Sequence, residues 1–133
     1  MGGDLRDDGT GGLTGKIIGA AIEIHRIFGP GLLEKAYEVC LAAELRHRGL
    51  RVRRQVAMPV VHRDVRLDCG YRLDMLVEET VIVELKVVKK LMPVHVSQVL
   101  TYLRLSDLQV GLLFNFNVEA LAAGGFRRVL SER

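Results

Sequence analysis

Between Tyr71 and Val88 the chain reads YRLDMLVEETVIVELKVV. Two runs rich in Val, Ile, Leu, Met and Tyr are broken once, by Glu78-Glu79-Thr80, which predicts two β-strands joined by a tight turn. Side chains alternate faces along a strand, so Glu84 and Lys86 share one face while Val83, Leu85 and Val87 turn into a core. If Glu78-Glu79-Thr80 is a three-residue loop, Val77 pairs with Val81 and Asp74 falls opposite Glu84. A slip of one residue would carry Asp74 to the other face. The loop lacks the Gly that its left-handed position favours, and a bulge near the turn would give the same register. The spacing therefore predicts two carboxylates and one ammonium crowded on one face of a hairpin. Adjacent carboxylates repel unless something cationic lies between them, and a hard, oxygen-seeking ion such as Mg²⁺ meets that need. Solvated charges on the wet face of an amphipathic hairpin would give the same D…ExK pattern, which is too short to separate the two readings alone.

The flanking segments supply the layers around this hairpin. Leu13, Ile17, Ala21, Ile24 and Phe28 recur at helical spacing, which predicts a helix over 13–28 with Thr14 as N-cap and Gly29-Pro30-Gly31 as its stop. His25 near its end reads as structural. A second helix is expected from about Leu32 to Arg48, ended by Gly49, with Glu34, Tyr37, Glu38 and Leu41 on one face. Glu34 in its first turn suits the helix dipole, and it could equally be a carboxylate aimed at the hairpin. Residues 51–61 are expected as a strand with Val52, Val56, Met58 and Val60 on one face, Arg54 as an exception, and Pro59 marking an edge or a bulge. His62-Arg63-Asp64 is a turn, and Val65 to Leu67 begins the next strand. After Lys89-Lys90, Pro93 opens a helix over 93–105. His95, Gln98 and Tyr102 form one stripe on it, which an ordinary polar face would also give. A strand over 110–116, a short helix from Asn117 to Ala122 and a last edge strand over 126–130 complete the order α-α-β-β-β-α-β with a short tail. A helix between two strands implies a right-handed crossover and parallel pairing, hence a mixed β-sheet with helices packed on it.

Length and composition exclude several classes. The 133 residues suffice for one domain with a core, and 49% hydrophobic with 26% charged residues is ordinary globular composition. No apolar run is long enough for a membrane span. Residues 1–12, MGGDLRDDGTGG, are Gly-rich and acidic, which suggests a disordered tail preceding a single domain over 13–133, and they carry no secretory signal. Cys40 and Cys69 are too few for a disulfide framework or a four-cysteine metal or iron–sulfur site, which points to the cytoplasm. The net charge is +3. Arg46, Arg48, Arg51, Arg53 and Arg54 cluster closely, and Lys86, Lys89, Lys90, Arg127 and Arg128 follow. Such a set could neutralise phosphates or simply make a basic surface.

The stretch Gly31-Leu32-Leu33-Glu34-Lys35-Ala36-Tyr37 fits G-x-x-E-x-x-Y. With IIGAAIEIHRIFGPGLLEKAYE, LDCGYRLDMLVEETVIVELKVV, QVLTYLRL and VGLLFNFNV, the chain from Leu13 to Leu130 resembles the GxxExxY protein family of the PD-(D/E)XK nuclease-like superfamily. Gln98 to Tyr102 is also similar to the QxxxY motif of RecB-type nucleases. The resemblance implies a restriction-endonuclease-like α/β fold with an αβββαβ core, and Glu34, Asp74, Glu84, Lys86, Gln98 and Tyr102 as catalytic positions. Leu73 stands where that motif often has proline. It further implies that Asp74, Glu84 and the Leu85 carbonyl hold Mg²⁺ or Mn²⁺, with Glu34 completing the shell or holding a second ion. Lys86 would position the attacking water, and Gln98 and Tyr102 would brace the site or touch the nucleic-acid backbone. The implied activity is metal-dependent hydrolysis of phosphodiester bonds in DNA. A second reading, a noncatalytic module of the same fold that binds nucleic acid or a protein, draws on the small size. The chain has no separate domain to grip a duplex, a gap that a homodimer or protein partner would fill.

Overall fold

The computed structural model describes residues 8–132. Helices α1 (Leu13–Phe28) and α2 (Glu34–His47) lead into β1 (Val52–Ala57), a small hairpin of β2 (Val60–His62) and β3 (Val65–Leu67), then β4 (Arg72–Val77), β5 (Val81–Lys86), α3 (Pro93–Ser106), β6 (Val110–Asn115) and β7 (Phe126–Leu130). The main sheet has the order β1-β4-β5-β6-β7. Its β5–β6 pair is parallel and the other three are antiparallel. This is the expected mixed sheet. Met75, Val77, Val81, Val83, Leu85, Leu112 and Phe114 meet α1 and α2 on one face. Leu73, Leu76, Ile82 and Leu113 meet Val99, Tyr102 and Leu103 of α3 on the other.

The β4–β5 register is Met75↔Val83, Leu76↔Ile82 and Val77↔Val81, which is the alignment that the loop length predicts. The turn reaches it by the bulge route. Glu78 and Glu79 both have φ of 53°, and the Thr80 N–H donates to the Val77 carbonyl at 3.0 Å, leaving Thr80 as an extra residue before β5. Glutamate rarely adopts that conformation. Here Arg51 holds Glu78 through backbone and guanidinium, and Arg53 holds Glu79 at 2.7 Å.

Several expectations need correction. The strand expected over 51–61 divides at Pro59, whose missing N–H cannot continue a ladder. Arg54 is no exception to β1's pattern. Gln55 has φ of 53° and switches the faces, so Val52 and Arg54 look toward α2 while Val56 packs on the α3 side. Residues 117–122 form turns rather than a helix, since Asn117 donates its N–H to Asn115 Oδ1 and a single turn is costly to nucleate. Gly12 caps α1, while the Thr14 hydroxyl donates to Asp8, which also pairs with Arg128 at 3.1 Å. Residues 1–7 of the expected tail lie outside the described residues, whereas Asp8 is tied to the folded chain. Phe28 is exposed at the end of α1. His25 is buried, with Nε2 3.1 Å from the Phe116 carbonyl, in keeping with a structural part.

Two packing details place the site. Tyr37 is fully buried, stacked on Phe116 with ring centroids 4.5 Å apart. Its hydroxyl donates to the Gly29 carbonyl and accepts from the Leu32 N–H, fixing the loop that leads to Glu34. On the other face, a Cβ at Gly111 would come within 2.6 Å of Val99. That bare backbone lets α3 press onto β6, bringing Gln98 and Tyr102 down beside β5.

Candidate active site

The two central acids are locked together where their strands part. Beyond Met75↔Val83 the ladder between β4 and β5 is no longer closed by backbone pairs. Instead the Asp74 N–H donates to Glu84 Oε2 at 2.7 Å, and the Leu85 N–H donates to Asp74 Oδ2 at 2.9 Å. Each carboxylate takes the place of a carbonyl of the opposing strand. The cause is visible in the neighbouring strand. Gln55 stands opposite Asp74 in the β1–β4 register, and at that level both strands change face, Leu73 toward α3 and Met75 toward α1 and α2. A left-handed residue in mid-strand is strained, and such strain persists only where the surroundings hold it. The Gln55 amide is held by both oxygens of Glu38, at 3.0 and 3.1 Å.

Glu38 is a functional-site neighbour that motif reading passed over. It is buried, ion-paired to Arg54 at 2.8 Å, and close enough to Asp74 to raise its pKa. Two signals were available: it lies one helical turn after Glu34, and Arg54 is a cation on the inner face of a strand. Asn115 was also missed. It is buried, accepts from the Val88 N–H at 3.1 Å and donates to the Val88 carbonyl at 2.9 Å, which fixes the chain just after Lys86.

Both acids of the pair are raised, burial being the first cause in each. Burial pushes the Asp74 carboxyl up to about 6; the Leu85 N–H and Lys86 oppose the rise, while Glu38 and Glu34 add to it. Burial, then the charges of Asp74 and Glu34, push Glu84 up to about 8 against the pull of the Asp74 N–H and Lys86. Lys86 therefore lies within electrostatic reach of both acids. Tyr102 is raised by burial and then by Glu84, Asp74 and Tyr71, so its hydroxyl lies within their electrostatic reach. Gln98 Nε2 donates to that hydroxyl at 3.4 Å.

The structure thus brings together Asp74, Glu84, Leu85, Lys86, Gln98 and Tyr102. Glu34 is the outlier. It acts on both acids but is exposed in the first turn of α2. Among the described residues no group of three or more His, Cys, Asp or Glu side chains could hold a metal ion. The expected three-acid gathering is here a close pair, with Glu34 exposed beside it.

The basic cluster is engaged with the chain's own acids and backbone. Arg48, Arg51, Arg53 and Arg54 are paired to Glu44, Glu78, Glu79 and Glu38, and Arg46 donates to the Val52 carbonyl. Arg51 and Arg53 nevertheless stay more than half exposed. Lys89 and Lys90, just beyond Lys86, are exposed.

The family described as the PD-(D/E)XK nuclease superfamily matches residues 12–129. The mixed five-stranded sheet flanked by helices is consistent with the restriction-endonuclease-like α/β fold expected of it. No curated protein and no solved structure matches the chain.

Proposed function

The chain belongs to the PD-(D/E)XK nuclease superfamily, and from that premise we propose that it is a metal-dependent nuclease that hydrolyses phosphodiester bonds in DNA. One observation carries the reading: Asp74 and Glu84 are interlocked by each other's strand, shielded from water, and both raised. The chain supplies an arginine to Glu38, Glu78 and Glu79, whereas among the described residues no ion pair reaches Asp74 or Glu84, and Lys86 acts on them without one. Two oxygen-donor acids short of positive charge fit a hard divalent cation. Asp74, Glu84 and the Leu85 carbonyl would hold Mg²⁺ or Mn²⁺, with Glu34 as the further ligand. Such an ion lowers the pKa of a bound water and offsets charge on the phosphate.

The chain's own groups do the rest. The Leu85 and Asp74 N–H groups fix the carboxylates before substrate arrives, so little reorganisation is needed. Lys86, anchored by the Asn115–Val88 clamp, orients the attacking water and offsets negative charge on the phosphate oxygens. Gln98 and Tyr102 donate to the nucleic-acid backbone or brace the acids. Gly31, Glu34 and Tyr37 support a place in the GxxExxY family, and the free thiols of Cys40 and Cys69 suit the cytoplasm. The expected single domain over 13–133 stands as part of the same proposal.

A noncatalytic nucleic-acid-binding or protein-binding module is the second reading, favoured by the standing-off of Glu34; a homodimer or protein partner belongs with it. A cleavage assay on single- and double-stranded DNA with Mg²⁺ or Mn²⁺ separates the two. Cleavage should require the ion and fall by about 100-fold or more in Lys86→Ala and Asp74→Ala, by analogy with removing one preorganised charge-stabilising group. Activity that survives both substitutions would remove the site from the chemistry.

A further inference from the structure

Beside the acids lies a cavity of about 360 Å³ between α3 and the β2–β3 hairpin. Its walls are Val60, Tyr71, Leu105, Thr101, Gln98 and Tyr102. Four features define what it can take. The lining is mostly apolar and contains no charged side chain, so it does not suit a phosphate. Tyr71 is half-exposed, with its ring available at the wall, and it acts electrostatically on Tyr102. Polar groups are few and convergent: the Thr101 hydroxyl, the two phenols and the Gln98 amide, whose Nε2 is committed to Tyr102. Finally, Tyr102 lines this cavity, packs in one cluster with Leu73, the chain neighbour of Asp74, and lies within electrostatic reach of Asp74 and Glu84. One molecule can therefore fill the cavity and meet the acids at once.

We propose that this cavity is a nucleobase subsite, in which one unpaired base stacks on Tyr71 while the adjoining phosphate lies toward the acids and Lys86. The proposal rests on the nuclease reading and narrows it. A planar, uncharged ring with donors and acceptors on its edge matches an aromatic wall with a few polar groups, and base–aromatic stacking tolerates any base. A base within a duplex is stacked on both sides and cannot enter unless the strand is already single or is opened. The preferred substrate is accordingly single-stranded or locally unpaired DNA, its phosphates tracked by the exposed Lys89 and Lys90.

The test is fluorescence anisotropy with the whole protein, on labelled oligothymidylate, on the same backbone made of abasic residues, and on a duplex. Wild type should bind oligothymidylate more tightly than the abasic strand. Tyr71→Ala should weaken oligothymidylate binding by about 5- to 150-fold, the fold-change that corresponds to one stacked base, and leave the abasic strand and the duplex unchanged. Tyr71→Phe should bind as wild type does. Equal binding of thymidylate and abasic strands by wild type overturns the subsite whether or not the variants fold. Equal loss on both strands in Tyr71→Ala overturns it as well. The same samples in the cleavage assay keep the two ideas apart. Tyr71-dependent base binding without any cleavage supports the subsite and defeats the nuclease reading. Cleavage with no difference between the strands does the reverse.

Discussion

The hairpin of β4 and β5 treats its acids in two opposite ways. At its turn, Glu79 is exposed and Glu78 partly so, and each is met by an arginine, Arg51 just before β1 and Arg53 within it. Hydrogen bonds from those guanidiniums hold both carboxyls below the usual carboxylate range. Four to five residues away, Asp74 and Glu84 are shielded, tied to backbone N–H groups rather than arginines, and raised. Surface pairs of the first kind contribute little to stability. The second arrangement is unfavourable whenever both acids are ionised, and a fold keeps such a pair where a ligand can relieve it. One strand pair thus carries acids that its own residues satisfy and acids that they leave for something else.

The sharpest contrast between the ends is in cleavage. Asp74→Ala should abolish it and Glu78→Ala should leave it intact, in the same gel assay with Mg²⁺. The next contrast concerns the kink that sets the acid pair. Gln55→Val places a β-branched residue at φ of 53° and removes the amide from Glu38. Urea unfolding should show a loss of roughly 1–3 kcal/mol, and cleavage should fall with it because Asp74 loses its place. Gln55→Gly, which accepts that φ, should retain more of both.

The pH dependence divides the ends by sign. In chelator, Glu84 binds its proton more tightly folded than unfolded, so the fold holds more protons between the ordinary value of 4.5 and about 8. Stability then falls as pH rises through that window, and the cost is complete above it. Glu84→Gln should melt like wild type at the acid end and higher than wild type at the alkaline end. Glu78 behaves oppositely: its lowered pKa stabilises above 4.5 and is lost in acid. The smallest effect is expected from Glu79→Ala. Both partners of its pair are more than half exposed, so thermal melts should barely move.

What could be read from the sequence follows from how local each cause is. The hairpin register, the meeting of Asp74 with Glu84 and the limits of α1 are set by side-chain period and turn length within one segment, and they were legible. Gln55 was not, because a left-handed glutamine has no sequence signature and its reason, Glu38, lies on another element. The partners of the arginine cluster were not legible for the same cause. Glu78 and Glu79 are more than 20 residues away along the chain and become neighbours only when β1 pairs with β4. Glu34 shows the converse: a motif placed it near the acids, and it does act on both, but the direction and exposure of a first-turn side chain are not set by its spacing.

Calorimetric titration with Mn²⁺ about one pH unit below the Glu84 value of about 8, in buffers of different ionisation heat, bears most directly on the acid pair. Glu84 should hold its proton there until the ion arrives, so wild type should bind Mn²⁺ with release of a proton, and Glu84→Gln should bind it far more weakly with no proton released. Unchanged binding in Glu84→Gln, or no binding by wild type, would contradict the claim that Asp74 and Glu84 are kept short of positive charge in order to receive a cation.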